Sequence, residues 1–281
     1  MQARVIDNVT QKMSSVLPQL IEASSDVRLA VAFVSRKGLS YIDPALDAAL
    51  AAGGTAEFLV GLDMQSTEPE AVRSLFERTR RSGSVELYCF RDLSSGIYHP
   101  KLYVCRSPEG VSFVAGSSNL TDGGLAKNAE VNVLIEAEVT DEIVSDVYSA
   151  YNRLKFQPDR VAPDDEFIEM YAELCLREKA QDRVARRDPG ARRLLESFRE
   201  KARSLKPPKP TKRDLFGWLE LVYDALPDGE FTNEQVYRFE GDFRQAYPDN
   251  RNIRAKVRQQ LQVLGQMGLV EDVARGRWRK L

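Results

Sequence analysis

The sequence predicts an α/β protein: a mixed sheet flanked by helices, then a helical connector, then a small module of three helices and a hairpin. Three observations point there. Through residue 90, apolar β-branched runs alternate with amphipathic helical segments, as in strands joined by crossover helices. From residue 101 three closely spaced apolar runs follow, with no helix between the first two, so antiparallel pairs join the sheet. Lys206-Pro-Pro-Lys-Pro210 is a stiff, extended linker, and the last 71 residues beyond it form a separate module.

In chain order, Val5, Val9, Met13, Val16, Leu17, Leu20 and Ile21 recur at helical spacing, so residues 1–24 read as an amphipathic helix. Asp26 to Val34 is a buried strand. Asp43-Pro44 offers an N-cap and a proline at the first helical position, for a helix ending near Gly53-Gly54. Thr55–Val60 and Val85–Phe90 are strands, with a helix from Glu68 to Arg81 between them. Leu102–Cys105 and Val111–Ala115 pair through the Ser107-Pro-Glu-Gly110 turn, and Val131–Ile135 is a further strand. A helix from Asp141 to Lys155 closes a first domain, residues 1–158. Residues 159–210 are the connector, two helices interrupted at Asp188-Pro189-Gly190. Its arginines Arg183, Arg186, Arg187, Arg192 and Arg193 are phosphate-contact candidates. The 11 basic residues of 156–205 are matched by 11 acids, however, which favours solvated helix faces.

Composition narrows the class. With 281 residues, 43% hydrophobic and 29% charged, the chain is that of an ordinary globular protein. It has no run of eighteen apolar residues, and Met-Gln-Ala-Arg-Val at the start lacks an apolar signal core, so a cytoplasmic protein without membrane contact is expected. Cys89, Cys105 and Cys175 are odd in number and form no Cys-x-x-Cys pair, and with one histidine they make no zinc-ligand set. The net charge of −2 divides unevenly: residues 1–155 carry 15 basic against 20 acidic side chains, and residues 206–281 carry 14 against 11. A basic tail on an acidic body is compatible with nucleic acid held by the tail.

The chemistry-bearing residues gather in one stretch. His99, the only histidine, lies two residues before Lys101, and strand alternation puts both side chains on one face. Asn119 ends Gly116-Ser117-Ser118-Asn119 eighteen residues later, and Glu130 follows eleven residues after that. A nucleophile, a fixed cation, a polar turn and an orienting carboxylate are the parts of a phosphoryl-transfer site. Each residue has a plainer reading beside this: a solitary surface histidine, a solvated lysine, a strand-end turn and an exposed strand start.

Histidine-x-lysine followed by Gly-Ser-x-Asn and Glu130 resembles the phospholipase D superfamily, and most closely its single-motif nuclease branch, which includes metal-independent restriction endonucleases. The resemblance covers roughly residues 25 to 155. It departs at Arg106, where the family pattern often carries an aspartate. The resemblance implies that His99 attacks phosphorus and forms a phosphohistidine. Lys101 and Asn119 would hold the phosphoryl oxygens with Ser117 as helper, and Glu130 would hydrogen-bond the imidazole. It implies no metal and no cofactor. It also implies a homodimer with one composite site, because a second histidine must come from another chain.

The last module reads as a winged helix. Leu215–Tyr223 is a helix, the capping box Thr232-Asn-Glu-Gln235 opens a second, Asn252–Met267 is a third, and the residues from Leu269 to the end form a hairpin. The run from Leu264 to Trp278 resembles C-terminal winged-helix domains attached to some restriction endonucleases. A third helix in the major groove would present Arg251, Asn252, Arg254, Lys256, Arg258 and Gln259, and the wing Arg275, Arg277 and Arg279. The plainer reading is a module for protein contacts or dimerisation. Together these features predict a restriction or phage-defence endonuclease acting on double-stranded DNA. The alternatives are a nuclease subunit with a helicase or methyltransferase partner, and a DNA-binding regulator that uses the first domain to dimerise.

Overall fold

One sheet organises the first unit of the molecule. Its strands are Gln2–Ile6 (β1), Asp26–Val31 (β2), Thr55–Val60 (β3), Val85–Phe90 (β4), Lys101–Ser107 (β5), Gly110–Gly116 (β6), Asn132–Ala137 (β7) and Arg160–Val161 (β8), in the order β1-β7-β6-β5-β2-β3-β4-β8. The computed structural model describes residues 1–62, 66–90, 98–180, 189–206 and 208–281. β2, β3 and β4 are mutually parallel, whereas β5 runs antiparallel to β2 with Lys101 opposite Val31. The end of β2 and the start of β5 therefore meet where the sheet changes direction, the position at which open α/β sheets bind ligands.

The helices of this unit are Met13–Glu22 (α1), Arg36–Ala51 (α2) and Pro69–Arg81 (α3), with Asp165–Ala180 (α5) and Pro189–Ser204 (α6) later in the chain; Glu142–Lys155 (α4) lies in the other unit. Two expectations are corrected near the start. Residues 2–6 form an edge strand paired with β7, not the beginning of a helix. Asp7 Oδ1 accepts from the backbone N–H groups of Val9 and Thr10, and Asn8 adopts φ 59°, so the chain turns before α1 can begin. α2 starts at Arg36, capped by Ser35 Oγ accepting from Gly38 N at 3.0 Å, which leaves Asp43-Pro44 inside it. The capping serine outcompetes the later signal because it lies at the first free N–H groups after β2.

The connector also differs from expectation. Phe167, Ile168 and Tyr171 of α5 and Phe198 of α6 are buried in the same core as Leu29, Phe58 and Leu75, with the Phe167 and Phe198 rings 4.6 Å apart. α5 and α6 are therefore a layer of the sheet unit. Arg192 and Arg193 are exposed on α6, while Arg183, Arg186 and Arg187 lie outside the described residues. Among the described residues no helix is long and apolar enough to cross a membrane.

The second unit joins Ala137–Gln157 to Pro208–Leu281. It contains α4, Trp218–Asp224 (α7), Glu230–Thr232 (β9), Asn233–Tyr237 (α8), Glu240–Ala246 (α9), Ile253–Gln266 (α10), Val270–Ala274 (β10) and Arg277–Lys280 (β11), with the strands ordered β10-β11-β9. The Thr232–Gln235 capping box is present as expected, while β9 and α9 are additions to the expected plan. α4 does not close the first domain. Its Ser145 Oγ accepts from Trp218 N at 3.0 Å, its Ser149 Oγ donates to Gln260 Oε1 at 3.2 Å, and Lys155 Nζ meets Asp214 Oδ1 at 2.8 Å with both side chains buried. Apolar periodicity announces a buried face but not which core it joins. The polar members of that face, Ser145, Ser149, Asn152 and Lys155, make the choice specific.

Removing one member of the Lys155–Asp214 pair strands a buried charge, so Lys155→Met should destabilise the C-terminal unit by about 3–5 kcal/mol. Urea denaturation followed by tryptophan emission checks this, both tryptophans (Trp218 and Trp278) lying in that unit.

Candidate active site

β5 carries the reactive pair at its first turn of the ladder. Ala32 N donates to Pro100 O at 2.9 Å, extending the β2–β5 pairing beyond the strand and fixing the backbone on the C-terminal side of His99. Lys101 Nζ lies 2.6 Å from His99 Nδ1, 2.9 Å from His99 Nε2 and 3.1 Å from His99 O. The ammonium is thus within hydrogen-bond reach of both ring nitrogens. Lys101 is only 8% exposed, whereas His99 opens to solvent. Phe33, just beyond β2, touches both: its ring meets the imidazole edge-on at 5.4 Å, and Lys101 Nζ lies 5.8 Å from its centroid.

The electrostatic result is a neutral imidazole. Burial first, and the Lys101 charge second, hold the His99 pKa below its usual value. Burial likewise lowers the Lys101 pKa, against the opposing pull of Glu130. A neutral ring has a free lone pair for attack, and a cation beside it is placed for charge that builds on an acceptor's oxygens.

The turn after β6 supplies the remaining groups. A Cβ on Gly116 would lie 2.4 Å from Val131 O and 2.5 Å from Asn132 Oδ1, so only glycine fits where β6 passes β7. Asn132 latches this crossing: it accepts from Ser118 N at 3.1 Å and donates to Ser118 Oγ at 2.8 Å. Tyr103 OH donates to Ser118 O at 2.8 Å from the neighbouring strand. Asn119 Oδ1 accepts from Phe33 N at 3.1 Å, so its amide is oriented by the residue whose ring contacts His99. Phe33 and Asn132 were not singled out in the sequence. The signal for Asn132 was an asparagine inside Val131-Asn-Val-Leu-Ile135, since a buried amide in a strand needs partners.

Glu130 is placed differently from expectation. Its carboxylate accepts from Ser117 Oγ and, at 3.2 Å, from Asn128 Nδ2, and among the described residues it makes no hydrogen bond to His99. Glu130 acts on the pair through the charge of Lys101, whose protonated form it favours. Asn128 is delivered by a π-turn over Gly123–Lys127, with Asn128 N donating to Gly123 O at 2.9 Å.

The second set of candidates lies on α10 and the wing. Arg251, Asn252 and Gln259 are exposed, as is Gln262, which the sequence reading missed. Arg254 is exposed but bonded to Glu240 at 3.0 Å, and Arg258 donates to Tyr237 OH at 2.9 Å. Lys256 corrects the expected outward-facing set: it is 7% exposed and ion-paired with Asp146 of α4. The unexpected membership of α4 in this unit is the reason. On the wing, Arg275 and Arg277 are exposed, while Arg279 is held by Glu230 at 2.6 Å and Glu271 at 3.0 Å.

A histidine–lysine pair at the direction change of a mixed sheet, closed by a Gly-Ser-x-Asn turn, defines a phospholipase D-like protein. Residues 16–155 match the family described as cardiolipin synthase, PLD-like domain, and residues 215–280 match the family described as Dam-replacing HTH domain. The chain therefore carries a PLD-like domain followed by a Dam-replacing HTH domain. Among solved structures it is similar to NucT from Helicobacter pylori, at 14% identity and TM-score 0.42, covering 54% of this chain and 94% of that one. It is also similar to a phospholipase D family member, Nuc from Salmonella typhimurium, at 19% identity and TM-score 0.42, covering 53% and 91%. Phosphatidylserine synthase from Haemophilus influenzae Rd KW20 aligns at 13% identity and TM-score 0.46, over 73% and 47%.

The single histidine makes its titration directly readable by NMR. Its pKa should lie below the ordinary value of about 6.5. In Lys101→Met it should move upward without reaching that value, because burial remains after the charge is gone. A histidine titrating at or above the ordinary value in the wild type would contradict the arrangement.

Proposed function

We propose that the protein is a metal-independent DNA endonuclease of restriction or phage-defence type. The observation that carries this reading is the His99–Lys101 pair at the sheet's direction change in a chain that also carries an HTH domain. The phospholipase D-like family match supports phosphodiester chemistry at that pair, and the HTH match favours DNA over lipid as the substrate.

In the mechanism, His99 attacks phosphorus and displaces one bridging oxygen, forming a phosphohistidine. An imidazolium gives its proton to the departing oxygen, and the neutral imidazole left behind then takes a proton from the water that resolves the intermediate. Lys101 and the Asn119 amide hold the phosphoryl oxygens, while Ser117 keeps Glu130 beside the lysine. Two histidines are needed and each chain has one, so the active form is a homodimer with a composite site on its two-fold axis. Val5, opposite Val133 in the β1–β7 ladder, is 61% exposed, and Val131 beside Glu130 is 62% exposed. This apolar strip borders the site and suits a second copy. The groove-reading face of α10 comprises Arg251, Asn252, Arg258, Gln259 and Gln262, with Arg254 turned to Glu240, and Arg275 and Arg277 on the wing contact phosphates.

Cleavage of methylated and unmethylated plasmid and phage DNA in excess EDTA tests the chemistry. Discrete fragments are expected from the wild type and none from His99→Ala, which should still bind DNA. Binding without cleavage by the wild type would favour a regulator or a subunit that needs a partner. Val133→Asp, which puts a carboxylate in the valine strip, should give a folded monomer with cleavage lost. Sedimentation velocity reads the first effect, and a dimer that persists would move the interface elsewhere.

A further inference from the structure

A cation lies buried where no reaction step above uses it. Arg160 of β8 is fully buried, and its guanidinium carbon lies 3.7 Å from the Tyr98 ring centroid and 4.3 Å from that of Phe90. The two rings are nearly parallel, at 21°, with centroids 6.0 Å apart, and the guanidinium lies against both. Its polar interactions are with Tyr98 and with the charge of Asp159, which oppose the cost of burial. Burial lowers the Arg160 pKa and raises that of Tyr98. Desolvating a cation is expensive, and an apolar side chain would fill the same space without that cost. What the guanidinium adds is attraction to both ring faces at once.

Tyr98 is the residue before His99. On its other side it meets Gly61, where a Cβ would lie 2.9 Å from Tyr98 Cδ1 and 2.5 Å from Ala32 O. Tyr98 is thus held between the guanidinium and the end of β3. His99 itself opens to solvent, and its side-chain contacts are Lys101 and Phe33. The direction in which its imidazole leaves the backbone is therefore set one residue earlier, by the clamp on Tyr98.

We infer that Arg160 is a positioning residue for His99: packed against the rings of Phe90 and Tyr98, it fixes the backbone from which the imidazole projects. The inference rests on the reading of His99 as the nucleophile. β8 pairs only Phe90 with Arg160 and Cys89 with Val161, so this short strand delivers the guanidinium to the two rings.

The test uses the full chain with Arg160→Met, Arg160→Lys and Tyr98→Leu. Single-turnover cleavage, scaled to the sites that accumulate phosphohistidine, should fall roughly 10–100-fold in Arg160→Met, the penalty of a small misplacement of a reacting group. DNA affinity should be unchanged. Tyr98→Leu should reproduce the loss, Arg160→Lys should recover part of it, and combining Arg160→Met with Tyr98→Leu should cost little more than either alone. The His99 ring resonances of Arg160→Met should shift or broaden. A merely structural role would lower the melting temperature and the number of active sites while leaving the rate per site and the His99 spectrum unchanged, and that result overturns the inference. If Arg160→Met does not fold, the same readings on Arg160→Lys and Tyr98→Leu decide. If the wild type does not cut DNA, the nuclease reading fails, and an unchanged His99 spectrum in a folded variant still overturns the positioning role.

Discussion

An ammonium pressed against an imidazole is the interaction on which the rest of the molecule depends. Two groups that both become cations at low pH are placed 2.6 Å apart, so the charge of one disfavours the charge of the other. The fold secures this by burying the lysine at the start of a strand and leaving the histidine at its mouth, where solvent and a phosphate can reach it. Glu130 balances the lysine from the next turn of chain.

That placement follows from topology. β5 is the first strand to run against the parallel set, so its beginning lies beside the end of β2, and Phe33 and Asn119 are brought to the same place. The Gly116–Asn132 crossing then holds the turn that carries Asn119 and Ser117. Packing this tight tolerates no side chain at Gly116, which ties the reactive groups to the sheet's own geometry rather than to a pliant loop.

Much of this was legible in the chain. β3 and β4 run from Thr55 to Val60 and from Val85 to Phe90, as their bounded β-branched runs indicate, and Lys101 lies beside His99 as strand alternation implies. Errors arose where two local signals competed or where a surface had more than one destination. Pro44 marks a helix start in isolation, but Ser35 reaches the free N–H groups first. Lys256 belongs to a basic helix face in sequence, yet Asp146 on a distant segment turns it inward. The resemblance assigns Glu130 to the imidazole, and it does not say which of two adjacent partners the carboxylate meets. Arg160 carried no signal, since nothing in Pro158-Asp159-Arg160-Val161 foretells two aromatic rings from elsewhere in the chain.

The winged-helix unit is not contiguous in the chain. Its wall, α4, precedes α5 and α6 in sequence, although those helices belong to the sheet unit. A protease that nicks the Pro-rich stretch at 206–210 would leave one product still carrying α4, with Lys155 seated on Asp214 of the other. The two fragments would remain associated. For the same reason, transplanting residues 211–281 onto another protein would carry the reading helix but leave Asp214 and Gln260 without the partners they have here. The complete unit begins at residue 137, and it cannot be excised without separating α5 and α6 from the sheet.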